Sequence, residues 1–117
     1  HSNHFKTEIL IKKFDKLGMI LNNFKSIYVK IDVEGYEGNV LKGMVAFLKS
    51  DFNIYLKIEI NKHFNNVKKI VSTIEILERC NYNFYIIKNQ KFIKMNKSEI
   101  IMFLTHKNAD IFCKKIS

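Results

Sequence analysis

Proline is absent from these 117 residues, and glycine occurs only four times. A chain this poor in both is not a collagen-like repeat, a Gly-rich solenoid or a disordered linker. Two cysteines, Cys80 and Cys113, are too few for a disulfide-rich scaffold or a four-cysteine zinc site. They read as free thiols of a reducing compartment, so a cytoplasmic location is expected. No apolar run approaches the roughly 20 residues of a membrane span. His1 to Phe5 lack the basic-then-apolar build of a signal peptide. What remains is a chain that is 47% apolar, enough for the core of one ordinary domain.

The net charge of +9 raises polyanions and anionic membranes as partners. The way it is built argues otherwise. Arg79 is the single arginine, and isoleucine (18), lysine (19) and asparagine (13) together supply 50 of the residues, a bias that A/T-rich codons produce. The lysines are scattered, with no basic run longer than two, as at Lys12-Lys13, Lys68-Lys69 and Lys114-Lys115. Base reading favours the forked guanidinium of arginine, which this chain barely has. Nucleic-acid binding is therefore not expected as the main role.

Strand-like and helix-like periods alternate along the chain. Ile9 to Phe14 reads as a short strand, and Asp15 as the cap of one or two helical turns through Leu17, Ile20 and Leu21. Ser26 to Val33 alternates cleanly, with Ile27, Val29, Ile31 and Val33 on one face and Tyr28, Lys30 and Asp32 on the other. Gly35 follows at the turn. Asn39 to Lys49 carries Val40, Leu41, Met44, Phe47 and Leu48 at helical spacing. Asn53 to Ile60 alternates again, with Tyr55, Lys57 and Glu59 on its polar face. Asn65 or Asn66 caps a helix that runs to about Arg79 on a stripe of Val67, Ile70, Val71, Ile74 and Leu77. Asn81 and Asn83 suit its exit turn. Phe84–Ile87 and Phe92–Met95 form a hairpin, and Ile100–Thr105 is a final strand candidate.

Strands separated by helices of this length imply right-handed crossovers and parallel pairing, and the late hairpin implies an antiparallel finish. The expected class is a mixed α/β sheet. Buried parallel strands usually read as continuous apolar runs, yet these two alternate. Either one face of the sheet is partly open, or its charges pair.

Residues 27–43 read Ile-Tyr-Val-Lys-Ile-Asp-Val-Glu-Gly-Tyr-Glu-Gly-Asn-Val-Leu-Lys-Gly. This segment closely resembles the FkbM family of S-adenosylmethionine-dependent methyltransferases. The family's pattern is a strand ending in Lys-Ile-Asp-x-Glu-Gly, then Glu, then Leu-x-Gly. Lys30, Ile31, Asp32, Glu34, Gly35, Glu37, Leu41 and Gly43 fill those positions. The segment Lys-Lys-Phe-Asp-Lys-Leu around Asp15 resembles the Thr-Leu-Asp-x-Leu that precedes the motif, with Lys13 and Phe14 replacing the usual Thr and Leu. Glu59 falls where the next strand of the family carries a glutamate. The resemblance spans about 9 to 105, and its specific part is the segment 27–43.

The resemblance implies a seven-stranded Rossmann-like sheet, of which this chain supplies the C-terminal part: parallel strands with crossover helices and an antiparallel final hairpin. It implies S-adenosylmethionine as cofactor and a small-molecule or glycan acceptor, often methylated at a hydroxyl oxygen. The family's Asp-x-Gly-Ala-Asn-x-Gly loop is not in the sequence, and no glycine precedes Gly18. With His1 rather than Met at the first position, residues 1–117 are expected to be one incomplete domain that lacks its cofactor-binding half and is inactive alone.

Ligands of open α/β sheets bind beyond the carboxyl ends of the strands. Asp32 sits there and is the catalytic candidate, a carboxylate that could orient an attacking oxygen or take its proton. It could equally pair with Lys30 or Lys57, or cap the turn. Glu34, Gly35 and Glu59 are candidates for cofactor or substrate binding. Gly35 offers a positive φ or close backbone approach. Glu59 could instead pair with Lys30. Glu37 reads mainly as acid enrichment at a helix start. A hard-cation site from Asp32, Glu34 and Glu59 is conceivable, but the spacing is not diagnostic and no metal is expected. The histidines show no ligand spacing, and the aromatics read as packing. The alternative, from another class, is a small basic α/β domain that binds anionic partners without catalysis. The oligomeric state is not legible.

Overall fold

A computed structural model of the protein describes residues 26–63 and 65–116. The strand expected over Ile9–Phe14 and the turns capped by Asp15 lie outside them. Among the described residues, five strands form one sheet in the order β1-β2-β5-β3-β4. The strands are β1 (Ser26–Ile31), β2 (Asn53–Ile60), β3 (Tyr82–Lys88), β4 (Lys91–Met95) and β5 (Ala109–Lys115). The helices are α1 (Glu37–Gly43), α2 (Val45–Leu48), α3 (Val67–Arg79) and α4 (Lys97–His106).

β1 and β2 pair in parallel, Ile27 beside Ile54 through Ile31 beside Ile58, with α1 and α2 between them in sequence. This is the pairing that the two alternating segments predict. The other three pairings, β2 with β5, β5 with β3 and β3 with β4, are antiparallel. The sheet is thus mixed, with a single parallel pair among the described residues.

The expected helix over 39–49 is two pieces. Gly43 ends the first, Met44 leaves helical geometry at φ −109° and ψ 7°, and its amide closes on Leu41 O at 3.0 Å. Asn66 caps α3, its side chain accepting the Lys69 amide at 2.8 Å. Asn81 takes a left-handed φ of 63° at the exit, while Asn83, expected in that turn, already belongs to β3. The β3–β4 hairpin turns on Asn89 and Gln90, both at positive φ, a geometry whose twist suits a two-residue hairpin.

The chain's end differs from expectation. Ile100–Thr105 is helix, not strand. Asn96 accepts the Glu99 amide at 2.8 Å, and Glu99 Oε1 accepts the Asn96 amide at 3.0 Å, a reciprocal cap that starts α4. The last strand is β5, so the β3–β4 hairpin is not the finish of the sheet. β5 slots between β2 and β3 instead.

One face of the sheet is buried under the helices. Ile31, Ile54, Ile58, Ile60 and Ile111 from the strands meet Leu41, Leu48, Ile70, Ile74, Leu77, Ile100 and Leu104 from the helices, all fully buried. α3 lies centrally, against both α1 and α4. A Cβ on Gly38 would stand 3.3 Å from Thr73 Oγ1, so α1 and α3 approach closely there. Lys97 at the start of α4 bridges to Glu75 (3.2 Å) and Glu78 (3.5 Å) of α3. The opposite face of the sheet carries no helix among the described residues.

Candidate active site

The parallel register decides the site. Because Ile31 sits beside Ile58, the next residue of each chain segment, Asp32 and Glu59, also fall side by side at the carboxyl edge. Antiparallel pairing places Asp110 beside Glu59 from the other flank. A row of three carboxylates therefore crosses β1, β2 and β5 at the sheet's upper rim. The charge of Asp32 is the largest influence raising the Glu59 carboxyl above its usual range, followed by desolvation and a hydrogen bond with Asp32. Asp110 adds to the rise, and Lys30 opposes it. Two carboxyls this close do not ionise independently, so one proton is held more tightly than in a lone glutamate.

The pairings that would have made Asp32 merely structural are largely absent. Lys57 pairs with Asp110 at 3.7 Å. Among the described residues no ion pair joins Lys30 to Asp32 or Glu59. The open alternative is thus answered both ways: the outer sheet face is exposed, and part of its charge pairs.

Asp32 is exposed and follows directly on β1, and the chain then turns sharply. Glu34 (φ 47°) and Gly35 (φ 97°) are both left-handed, and the Tyr36 amide closes the turn on Val33 O at 3.3 Å. Gly35 meets the positive-φ need expected of it. Glu34 stands within this loop, exposed. The structure therefore gathers Asp32 with Glu59 at one edge and sets Glu34 and Gly35 in the adjoining loop.

Glu37 is the residue the sequence undersold. It opens α1 yet is 0% exposed. Its Oε2 accepts the Gly35 amide at 2.9 Å, while Oε1 has no hydrogen-bond partner among the described residues. The Asn65 side chain is near enough to favour the charged form, but its Nδ2 donates to Asn61 O at 3.0 Å and does not complete a bond to Oε1. Burial pushes the Glu37 carboxyl up, and the Gly35 hydrogen bond restrains the rise. The signal was present in the sequence as a second glutamate three residues after Glu34, but its burial depends on α3 packing over α1.

The open face beside the acidic row holds a groove of about 670 Å³. Its rings are not core packing, as the sequence suggested. Tyr28 and Tyr55 stack at 4.8 Å, and Phe92 meets Phe112 edge-on at 5.2 Å. Lys57 lies 5.8 Å from the Phe112 ring and Lys114 5.8 Å from the Tyr55 ring. Tyr28 remains 77% exposed and Phe92 64%. Tyr28, Tyr55 and Phe112 alternate with buried apolar residues of their strands, so strand geometry turns them outward.

Both cysteines are buried and free, and burial pushes the Cys113 thiol up, away from reactivity. Among the described residues no three His, Cys, Asp or Glu side chains are placed to hold a metal ion, and no helix is long and apolar enough to cross a membrane.

The motif, its strand and its turn find their counterpart in a family model. The chain matches the Methyltransferase FkbM domain over residues 14–109. It belongs to the FkbM methyltransferase family. No curated protein and no solved structure matches it. As a family member it is a methyltransferase in general terms, and its mixed α/β sheet accords with such a fold.

Proposed function

We propose that the chain carries the acceptor side of a methyltransferase that takes its methyl group from S-adenosylmethionine and passes it to a hydroxyl oxygen of a sugar or natural-product acceptor. The observation that carries this reading is the side-by-side pair of Asp32 and Glu59 at the carboxyl edge of the parallel strands. Open α/β sheets form their ligand sites at that edge.

In this reading Asp32 acts on the acceptor. Its carboxylate would accept the hydroxyl proton, or a hydrogen bond from it, and so ready the oxygen for the methyl group that the sulfonium donor would give up on leaving as a neutral thioether. Glu59, in hydrogen-bond reach of Asp32, holds it in place. Glu34 and Gly35 shape the loop that faces donor and acceptor, and the Gly35 backbone can approach a ligand without a Cβ in the way. S-adenosylmethionine supplies an electrophilic methyl group when bound. The residues of this chain do the positioning, which is the larger part of such a reaction. The glycine-rich donor loop of the family is not among residues 1–117, so the chain alone is expected to bind the donor weakly and to be inactive.

The test is methyl transfer from labelled S-adenosylmethionine by the chain extended through the codons upstream of His1. Asp32→Asn should lower turnover by roughly 10²-fold or more, the usual scale for losing a general base. Full turnover in that variant would remove Asp32 from the reaction. Calorimetry that gave micromolar donor affinity for residues 1–117 would overturn the division of labour. The second reading, a non-catalytic domain for anionic partners, draws on Lys30, Lys57 and Lys114 around the open groove. It is the weaker of the two, because Lys57 is already paired to Asp110.

A further inference from the structure

A carboxylate needs no burial to benefit a helix start. Exposed acids favour the positive end of a helix well enough, so a dipole role does not account for a glutamate with no exposed surface. Taking a carboxyl out of water costs several kcal/mol unless its partners compensate, and Glu37 has one oxygen with a partner and one without. The partner is informative. It is the amide of Gly35, the centre of the turn that leads from Asp32 to α1.

That turn is not held by backbone preference. Glu34 occupies the left-handed region at φ 47°, a conformation that is unfavourable for a non-glycine residue. It persists only if its surroundings fix it. Besides the Tyr36 amide that closes on Val33 O, two side chains anchor it. Val33 is buried at the start of the turn, and the Glu37 side chain grips its middle from the protein interior. Asp32 directly precedes the first anchor, and Glu34 lies between the two.

We propose that Glu37 is the positioning residue of this site: strand register brings Asp32 next to Glu59, and by holding the Gly35 amide from inside the protein Glu37 fixes the left-handed turn that keeps Asp32 against that neighbour and sets Glu34 in the adjoining loop. This rests on the reading of Asp32 and Glu34 as site residues. Glu37 itself does not touch a substrate. Its carboxyl acts through the backbone, and any side chain with an oxygen in the same place does the same work.

The experiment is nuclear magnetic resonance on the 117-residue chain, wild type against Glu37→Leu and Glu37→Gln. Leucine fills a similar buried volume without an acceptor, and the half-exposed Gly35 amide that it releases can turn to water. In Glu37→Leu the Gly35 amide should exchange with solvent at least about tenfold faster, the scale of losing one net hydrogen bond. The Glu59 titration midpoint should fall back toward the ordinary glutamate range, because Asp32 is its largest perturber and moves away. Asp110 and Lys30, the other charged groups that face Glu59 among the described residues, sit on strands the substitution does not touch. The amides of Ile58 and Ile111 should keep their protection. Glu37→Gln retains the acceptor and should keep both readouts at wild-type values. An unchanged Gly35 amide and Glu59 midpoint in Glu37→Leu would overturn the proposal. So would loss of protection throughout the sheet in that variant, which makes Glu37 a stability residue only. Neither readout involves methyl transfer. The positioning role can therefore fail while the methyltransferase reading stands, and full turnover in Asp32→Asn would sink that reading alone.

Discussion

The two faces of this sheet are made by the same strands and obey opposite rules. On β2, Ile54, Leu56, Ile58 and Ile60 are buried under α1, α3 and α4, while Tyr55, Lys57 and Glu59 stand on the other side in an open layer. The covered face is aliphatic and nearly without polar atoms. The open face is a mosaic in which Lys57 and Lys114 each lie near a ring of the neighbouring strand and the carboxylates collect at one rim. Stability is concentrated on the first face and chemistry on the second. The alternation of side chains along a strand allows both to be written into eight residues of β2.

The contrast can be broken by substitution at neighbouring positions of β2. Ile58→Ala should have the largest effect. The side chain is fully buried at the centre of the sheet, and its truncation should cost about 3 kcal/mol, read as a lower midpoint in urea. Tyr82→Phe tests the seam between sheet and helices. The tyrosine hydroxyl donates to Leu48 O at 3.0 Å in a buried setting, so its loss should cost about 1 kcal/mol in the same titration. Lys57→Met, one position from Ile58, should move stability by less than about 0.5 kcal/mol, since its ion pair with Asp110 is well exposed. A Lys57→Met cost equal to that of Ile58→Ala would show that the open face is covered in solution.

The smallest expected effect concerns the acidic rim. The folded Glu59 carboxyl lies above its unfolded value of 4.5. The folded state therefore binds the extra proton, and the rim's contribution to stability falls as pH rises from about 4.5 through the raised value. Asp32→Asn removes the main cause. It should flatten this part of the stability curve and leave the variant slightly more stable than wild type at neutral pH. An unchanged slope in thermal melts between pH 4 and 7, on the order of that window, would place the titrating group elsewhere.

Sequence reasoning reached the parallel pair because Ser26–Val33 and Asn53–Ile60 carry period-two alternation, and the motif around Gly35 fixed the turn between strand and helix. It missed α4 because Ile100 to Leu104 is an unbroken apolar run, which periodicity cannot assign to helix or strand. The Asn96–Glu99 cap would have decided the matter. It missed β5 because Ala109–Lys115 mixes acid, aromatic and lysine and alternates only through Ile111 and Cys113. Of the candidate site, Asp32 and Glu59 were visible one by one. Their adjacency was not, since it depends on register. Glu37 could not be told from a solvated helix acid until α3 was seen to bury it.

The insertion of β5 also orders events in time. Among the described residues β2 and β3 are not partners, and β5 is the strand that joins them. During synthesis the β1–β2 pair and the β3–β4 hairpin emerge as separate ribbons, each below the size at which a sheet is stable by itself. Neither can be welded to the other until residues 109–115 have left the ribosome, and the weld closes a loop of some fifty residues between β2 and β5. Long-range closure of this kind slows folding. Residues 109–115 are therefore the clasp of this sheet, and the acidic rim acquires Asp110 only at the moment the clasp shuts.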